Sequence, residues 1–373
     1  MCNFARGLAT YGHEVFIYLE REGDGVAVIH DMLQGARVHV NVGWVNFVPF
    51  DAAIATLAHS APFVAALPHA DHKFYFVQDF EAAFNPLSDS YVIGENSFTY
   101  GLTHLTIGRW LSHLIPTQYA QPAFPAGLGA DTSIYRPLLA QKYTKPAIAF
   151  LYQPDKFRRA PNLGIQALSL VKKQHPETTI YLYGHDQRIN LDFSTEQLGL
   201  ISDLNEINEL YNKCPIGLCI SLSNPSRIPF EMMAAGCVPV DVYRYNNLFD
   251  YPAGTTLLAH QTPASLAKAI CSLIEDPVAL KTRRAECIRY AASRTLDWEV
   301  DTLVNTLHAK MRGLDLPTQT SNPLYGASPV IALNKPDSGS VEFCQTQAKQ
   351  AGIAWHLSNI PHEVSPLRTI HNS

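Results

Sequence analysis

The chain has 373 residues, room for two or three domains at about 100–200 residues each. With 28 Lys+Arg against 33 Asp+Glu the net charge is −5, so no basic excess exists to neutralise phosphates, and a dedicated nucleic-acid binder is excluded. Hydrophobic residues make up 47%, which excludes disorder of the whole chain, and charged residues only 16%, which leaves a surface built on neutral polar groups or resting on a partner or membrane.

Residues 4–11 predict a helix that Gly12 terminates, and 13–19 a short apolar strand. The segment 38–48 is rich in β-formers, and 52–56 is another apolar run before the helix start Ser60-Ala61-Pro62. His69-Ala70-Asp71-His72 falls in a Pro-flanked stretch and reads as a surface loop rather than a metal site. Residues 73–78 predict a buried strand, and Leu105-Thr106-Ile107-Gly108 a strand-to-helix turn. This rhythm calls for a parallel sheet with crossover helices. The segment 121–137, rich in Pro, Gly and Ala, reads as the domain junction.

The second rhythm is cleaner. Strands are predicted at 147–152, 178–183, 216–222 and 238–243. Helices are predicted at 162–174, at 203–213 with Ser202 as cap, from Pro229 to Gly236, and at 263–275 and 277–292. Near-continuous apolar strands between helices mean a sheet covered on both faces. In such sheets ligands bind beyond the carboxyl ends of the strands. Past Gly313, Pro, Ser, Thr and Asn are frequent, and a helix at 343–351 and a strand at 353–357 are expected in a tail of unknown role.

The seven cysteines are odd in number and contain no C-x-x-C, which points to buried reduced thiols and a cytoplasmic setting. Two uncharged stretches, 52–70 and 110–130, are broken by prolines and polar residues, so neither is a clean span of about 20 apolar residues. No signal-peptide pattern is visible.

Three motifs carry chemistry. In Ser223-Asn224-Pro225-Ser226-Arg227-Ile228-Pro229-Phe230-Glu231 a buried strand ends in a polar turn and a helix opens with Pro in its first turn. The free N–H groups of such a helix start form an anion site, Ser226 is placed to cap it, and Glu231 has the reach to bridge a vicinal diol such as a ribose. The plain alternative is an ordinary crossover helix. In Gln153-Pro154-Asp155-Lys156-Phe157-Arg158-Arg159 three cations at a strand end suit a diphosphate, against the alternative of a solvated basic loop. Gln78-Asp79-Phe80-Glu81 places acids at a strand end, to orient a sugar hydroxyl, act as base or hold a divalent metal, against simple capping. Gly127-Leu128-Gly129 lacks the third glycine of a dinucleotide fingerprint.

Taken together, Phe76-Val77-Gln78-Asp79-Phe80-Glu81, Ser221-Leu222-Ser223-Asn224, Ile228-Pro229-Phe230-Glu231-Met232-Met233, Asn246-Asn247 and the run to Pro239-Val240 resemble the family 4 GT-B glycosyltransferases, within them the WsaF-type rhamnosyltransferases, over residues 1–312. Glu275-Asp276-Pro277 and Asp297-Trp298-Glu299 also fit. The fold the resemblance implies is α/β, a GT-B architecture of two Rossmann-like domains facing each other across a cleft. Its boundaries would be 1–132 for the acceptor side, 133–296 for the nucleotide-sugar side, 297–312 for a helix returning to the first domain, and 313–373 for the tail. The family opens with a strand and a Gly-rich turn, whereas this chain starts at the helix that follows, so an N-terminal domain lacking its first strand is expected.

The resemblance implies transfer of a sugar, with retention, from a nucleotide-sugar donor, dTDP-L-rhamnose being the first candidate, to a glycan or lipid-linked acceptor. Glu231 would hold the ribose, and Ser223 stands where the family has a first glutamate. Ser223, Asn224, Pro225 and Ser226 would line the diphosphate and donor sugar, Arg158 and Arg159 would neutralise the leaving group, and Gly184, His185, Leu200 and Ile201 would border the base. Asp79 and Glu81 would face the acceptor. No metal and no cofactor are implied, and a cytoplasmic location with peripheral membrane contact is compatible with a lipid-linked acceptor. A degenerate nucleotide-sugar-binding protein and a sugar-nucleotide epimerase on the same fold are the alternatives.

Overall fold

The computed structural model describes residues 1–332 except 24, 34, 46, 139–145 and 318–321, together with Thr346. Met1–Ala332 is one compact unit, and Leu333–Ser373 a second. The helix and strand expected at 343–351 and 353–357 lie outside the described residues, Thr346 apart.

The first half runs α1 (Cys2–Thr10), β1 (Val15–Leu19), α2 (Gly25–Met32), β2 (Val38–Val42), β3 (Phe50–Ala55), α3 (Ala61–Ala66), β4 (Ala70–Val77), α4 (Asp89–Asn96), β5 (Thr103–Ile107), α5 (Arg109–Tyr119) and β6 (Ala123–Gly127). Strands β3-β4-β5-β6 form a parallel sheet in chain order, and β1 and β2 pair separately as a parallel ribbon. Aromatic contacts join the two: Phe16 and Tyr18 of β1 lie 5.8 and 6.0 Å from Phe50 of β3.

Two local expectations change here. His72 is not in a loop but on β4, paired with Ala52; the polar run Asp71-His72-Lys73 that opens the strand hides its β character in the sequence. The supposed junction contains β6, and Pro125 is tolerated there because β6 is an edge strand, where a missing N–H costs no ladder bond. Within the β-rich segment 38–48 the strand is Val38–Val42.

The second half runs β7 (Ala147–Leu151), α6 (Pro161–Gln174), β8 (Thr179–Tyr183), β9 (Glu196–Gln197), α7 (Leu204–Lys213), β10 (Ile216–Leu218), α8 (Ile228–Ala235), β11 (Val238–Val242), β12 (Leu257–Ala259), α9 (Pro263–Glu275), α10 (Pro277–Ala292) and α11 (Leu296–Met311). Its parallel sheet has the order β12-β11-β10-β7-β8-β9. The cap of α7 is Asp203, whose carboxylate accepts from the Asn205 amide, rather than Ser202. Strand β11 is buried throughout, which explains why its sequence shows no alternation. Strand order reverses between β7 and β10: the sheet grows outward through β8 and β9, then returns to start again at β10, every strand staying parallel. That switch point opens a crevice at the strand carboxyl ends.

Helix α11 runs back onto the first half. Gly127 (φ +95°) is where it crosses, since a Cβ there would sit 2.8 Å from the Trp298 ring. The Ala130 amide donates to the Arg294 carbonyl and the Leu296 amide to the Ala130 carbonyl, both at 2.9 Å. The Gly127-Leu128-Gly129 stretch thus serves a close backbone crossing. Phe4 of α1 stacks edge-on against Phe76 at 4.8 Å and belongs to the same hydrophobic core as the second sheet.

After α11 the chain straps the edge of the second sheet. Val330 bridges Ala259 in parallel, and the Leu258 amide donates to the Tyr325 hydroxyl at 3.1 Å. Part of the tail is therefore an edge cover, which blunts an otherwise open strand.

Candidate functional site

The crevice at the β7/β10 switch point is a cavity of about 270 Å³ between the halves. From the second half it is lined by Arg158, Arg159 and the run Ser221–Ile228; from the first by Gln78, Asp79, Ile107 and Leu128, with Met1 and the α1 residue Phe4. Each group arrives by a short physical route. Strand β7 ends at Leu151, and the loop after it turns through one helical turn at Phe157–Arg159 to present both guanidiniums. The residue after that turn, Ala160, is left-handed (φ +41°), and Pro161 then starts α6. Beyond β10, the mostly buried segment 219–227 bends at 222–224 and again at Arg227, and α8 begins at Ile228 with Pro in its first turn. The Ser226 hydroxyl accepts the Ile228 amide at 3.3 Å.

The cavity carries unmet polarity. The Nε atoms of Arg158 and Arg159 and the Oδ1 of Asn224 are buried with no hydrogen-bond partner. Buried polar groups are ordinarily bonded, and a lost hydrogen bond there costs about 1–3 kcal/mol. A ligand with several acceptor oxygens fits the two arginines. Burial lowers the Arg158 pKa, and the Asp79 carboxylate, 3.8 Å from its Nε, offsets part of that. The Arg158 guanidinium also lies 4.3 Å over the Phe84 ring.

Asp79 stands across the cleft from these groups. Burial raises its pKa, against a hydrogen bond from Ser223 and the charge of Arg158. The Asn224 side chain donates to the Gln78 carbonyl at 3.4 Å, a second bridge between the halves. Glu81 turns away from the cavity. Its carboxylate accepts the Ala58 amide at 2.8 Å and holds the turn after β3. Asp79 and Glu81, neighbours in sequence, therefore occupy different surroundings.

Glu231 lies within the first turn of α8, partly buried and outside the cavity lining. Burial raises its pKa to about 7, opposed by Arg227 and Arg159 and reinforced by Asp131. Gly184 (φ +93°) ends β8, and its amide donates to Gly199 at 2.8 Å. His185 meets the Tyr152 ring edge-on at 5.7 Å. Leu200 is exposed and Ile201 packs on the core. These four follow the carboxyl ends of β8 and β9 and are not among the residues that line the cavity.

Sequence reasoning missed the tie beneath the loop. Arg227 donates from both terminal nitrogens to Glu299, at 2.7 and 2.6 Å, and from one of them to the Gly129 carbonyl at 2.7 Å. Glu299 is fully buried and also accepts the Gly129 amide at 3.0 Å. An Arg and a Glu 72 residues apart gave no local signal. Asp241 is likewise hidden on β11: its Oδ1 accepts the amides of Ser221 and Val242, and burial raises its pKa to about 7. Among the described residues no group of three or more His, Cys, Asp or Glu is placed to hold a metal ion.

Comparison with known proteins follows this geometry. Sucrose-phosphate synthase (tll1590) from Thermosynechococcus elongatus superposes with a TM-score of 0.63 at 12% identity, over 82% of this chain and 92% of that one. Anabaena Alr3699/HepE, solved in complex with UDP, gives 0.62 at 13% identity over 84% and 96%. The fold is that of the GT-B glycosyltransferases. Residues 146–271 match the family model "WsaF, C-terminal domain". The chain is also 26% identical over 261 residues to the O-antigen biosynthesis protein RfbC of Myxococcus xanthus, a match covering 67% of this chain and 20% of that protein. It thus spans about a fifth of the length of that curated relative.

Proposed function

We propose that this GT-B chain is a glycosyltransferase of glycan biosynthesis that moves a sugar from a nucleoside-diphosphate donor. The observation that carries the reading is the pair of buried arginine nitrogens left without a hydrogen bond at the β7/β10 switch point. A diphosphate supplies what they lack. Charge on the departing nucleoside diphosphate is what such donors stabilise in the transition state. Ser226 and the start of α8 add neutral donors to the same anion.

Within this reading, the roles divide by place. Arg158 and Arg159 take the diphosphate, and Ser223, Asn224 and Pro225 border the donor sugar. Glu231 accepts the ribose hydroxyls, and Gly184, His185, Leu200 and Ile201 flank the base at the ends of β8 and β9. Asp79, across the cleft, receives the acceptor hydroxyl, and Glu81 supports the 58–60 turn beside it. Residues 1–132 serve as the acceptor side, 133–296 as the donor side, and 297–312 as the return helix. The motifs that resemble the WsaF-type rhamnosyltransferases, beside the match to a WsaF domain, make transfer of L-rhamnose from its dTDP donor, with retention, the first reaction to try. The similarity to an O-antigen biosynthesis protein supports a glycan or lipid-linked saccharide acceptor, and a lipid-linked one would be met on the cytoplasmic side with peripheral membrane contact. Among the described residues no helix is long and apolar enough to cross a membrane.

A thermal-shift titration with dTDP, UDP, GDP and NAD tests the site. A ligand at 100 times its dissociation constant stabilises by about 2.7 kcal/mol. A selective shift with one nucleoside diphosphate, followed by transfer from the matching nucleotide sugar, is expected. No shift with any of them overturns the reading, and a donor altered without an acceptor makes the chain an epimerase instead.

A further inference from the structure

Strand β11 leads into a one-turn helix at Tyr245–Leu248, followed by Phe249 and Asp250. This turn is held from three sides. The side chains of Asn246 and Asn247 both donate to the Ser221 carbonyl, at 3.0 and 3.1 Å, where β10 hands over to the cavity loop. The amides of Leu324 and Tyr325, in the strap after α11, both donate to the Leu248 carbonyl, at 2.8 and 2.9 Å. The Tyr290 hydroxyl donates to the Asp250 carbonyl at 2.9 Å.

From this braced turn the Asp250 carboxylate crosses to the other half of the molecule. Both of its oxygens lie 3.0 Å from the Arg109 amide, and one lies 3.4 Å from the Trp110 amide. These are the first N–H groups of α5, and no side chain from the helix's own flank caps it. The residue in the cap position is Gly108 (φ +78°), and a Cβ there would stand 3.0 Å from the Asp250 Oδ2. A glycine in that position both permits the left-handed turn and leaves room for the carboxylate. Helix starts leave N–H groups that need acceptors, and their positive dipole end favours an anion. Here the acceptor comes from 141 residues along the chain and is only 3% exposed. A carboxylate buried so deeply is tolerated only where donors meet it, so the cap holds together only while the halves are together.

We infer that Asp250 is a positioning residue: a cross-cleft cap that sets the juxtaposition of Gln78 and Asp79 with Arg158, Ser223 and Asn224. The groups it brings into register touch at 3.4 Å (Asn224 to the Gln78 carbonyl) and 3.8 Å (Arg158 to Asp79), both on the cavity wall. The braced turn links this cap to the cavity loop through Ser221, so one element aligns both. The turnover part of the inference rests on the proposed transferase activity; the structural part does not.

The test uses the full chain with Asp250→Asn and Asp250→Ala. Amide hydrogen exchange at Arg109 and Trp110, small-angle scattering, and UDP and dTDP affinity are measured for each, with transfer kinetics where transfer is seen. The expected result for Asp250→Ala is at least tenfold faster exchange at the two α5 amides, unchanged protection in β7, and a larger radius of gyration. Nucleotide affinity should stay within twofold, while kcat falls tenfold or more at constant donor KM. Asp250→Asn keeps one acceptor oxygen and should fall between wild type and Ala; should the Ala variant fail to fold, the Asn variant carries the same readouts. Faster exchange with unchanged scattering reduces Asp250 to a local cap and overturns the inference, as does loss of nucleotide affinity in step with kcat. If the wild type neither binds nucleotide nor transfers sugar, the proposed function fails, yet exchange and scattering still decide the role of Asp250.

Discussion

Replacing Glu299 with Ala removes the acceptor for three hydrogen bonds at 2.6–3.0 Å, two from Arg227 and one from the Gly129 amide. The cost follows from what is left behind. Glu299 is fully buried, whereas the Arg227 side chain retains 35% exposure and can partly rehydrate. Burial opposes the charge on Arg227, yet its bonds to Glu299 raise its pKa overall, so the pair is net favourable to the charged form. The stranded Gly129 amide loses its Glu299 acceptor, which costs about 1–3 kcal/mol. Breaking a buried ion pair from one side generally costs about 3–5 kcal/mol, and the low end applies here because Arg227 reaches water. We expect Glu299→Ala to lose about 3 kcal/mol. Removing both charges with Arg227→Met and Glu299→Leu should recover about 1–2 kcal/mol relative to the sum of the single changes. Urea denaturation of the wild type, Glu299→Ala, both single changes and the double variant at one pH, with the m-value checked for constancy, measures both quantities. A loss below about 1 kcal/mol for Glu299→Ala, or strictly additive single changes, refutes the claim that this pair locks the return helix to the cavity loop.

Arg158→Ala together with Arg159→Ala should weaken nucleoside-diphosphate binding by about 2–4 kcal/mol, since charge-assisted bonds contribute about 1.5–3 each, while melting shifts little; isothermal titration decides, and unchanged affinity moves the phosphate site elsewhere. Glu231, raised to about 7, should make nucleotide affinity fall as pH drops through 7. In Glu231→Gln affinity should be lower and flat with pH, and a sloping profile in that variant assigns the titration to another group. Burial raises Asp241 to about 7, against about 3.9 in the unfolded chain. Its native form therefore binds the proton more tightly, so its contribution to stability is full below about pH 4 and is lost as pH rises through 7. Denaturation midpoints against pH should show this component in the wild type and not in Asp241→Asn.

Much of the second half was legible because its signals are local. Pro161, Pro229, Pro263 and Pro277 each stand in the first turn of a helix, and Gly236 (φ +81°) closes α8. The basic loop 156–159 and the run 223–228 were readable as strand-end polar segments, and Arg158 and Arg159 of the first share a cavity with the second, Lys156 lying outside its lining. The first half was harder. Strand β4 begins with exposed polar residues that imitate a loop, and β6 contains a proline that only an edge position allows.

By itself, the sequence determined the element types, the parallel α/β class and the polar strand ends, because periodicity, prolines and glycines act within a few residues of themselves. Tertiary structure alone decided which of those ends meet, that Asp79 faces the arginines while Glu81 holds a turn, that Arg227 pairs with Glu299, and that Asp250 caps α5. Each of these couples residues more than twenty positions apart, and a buried charge leaves no trace in local pattern until the fold brings its partner to it.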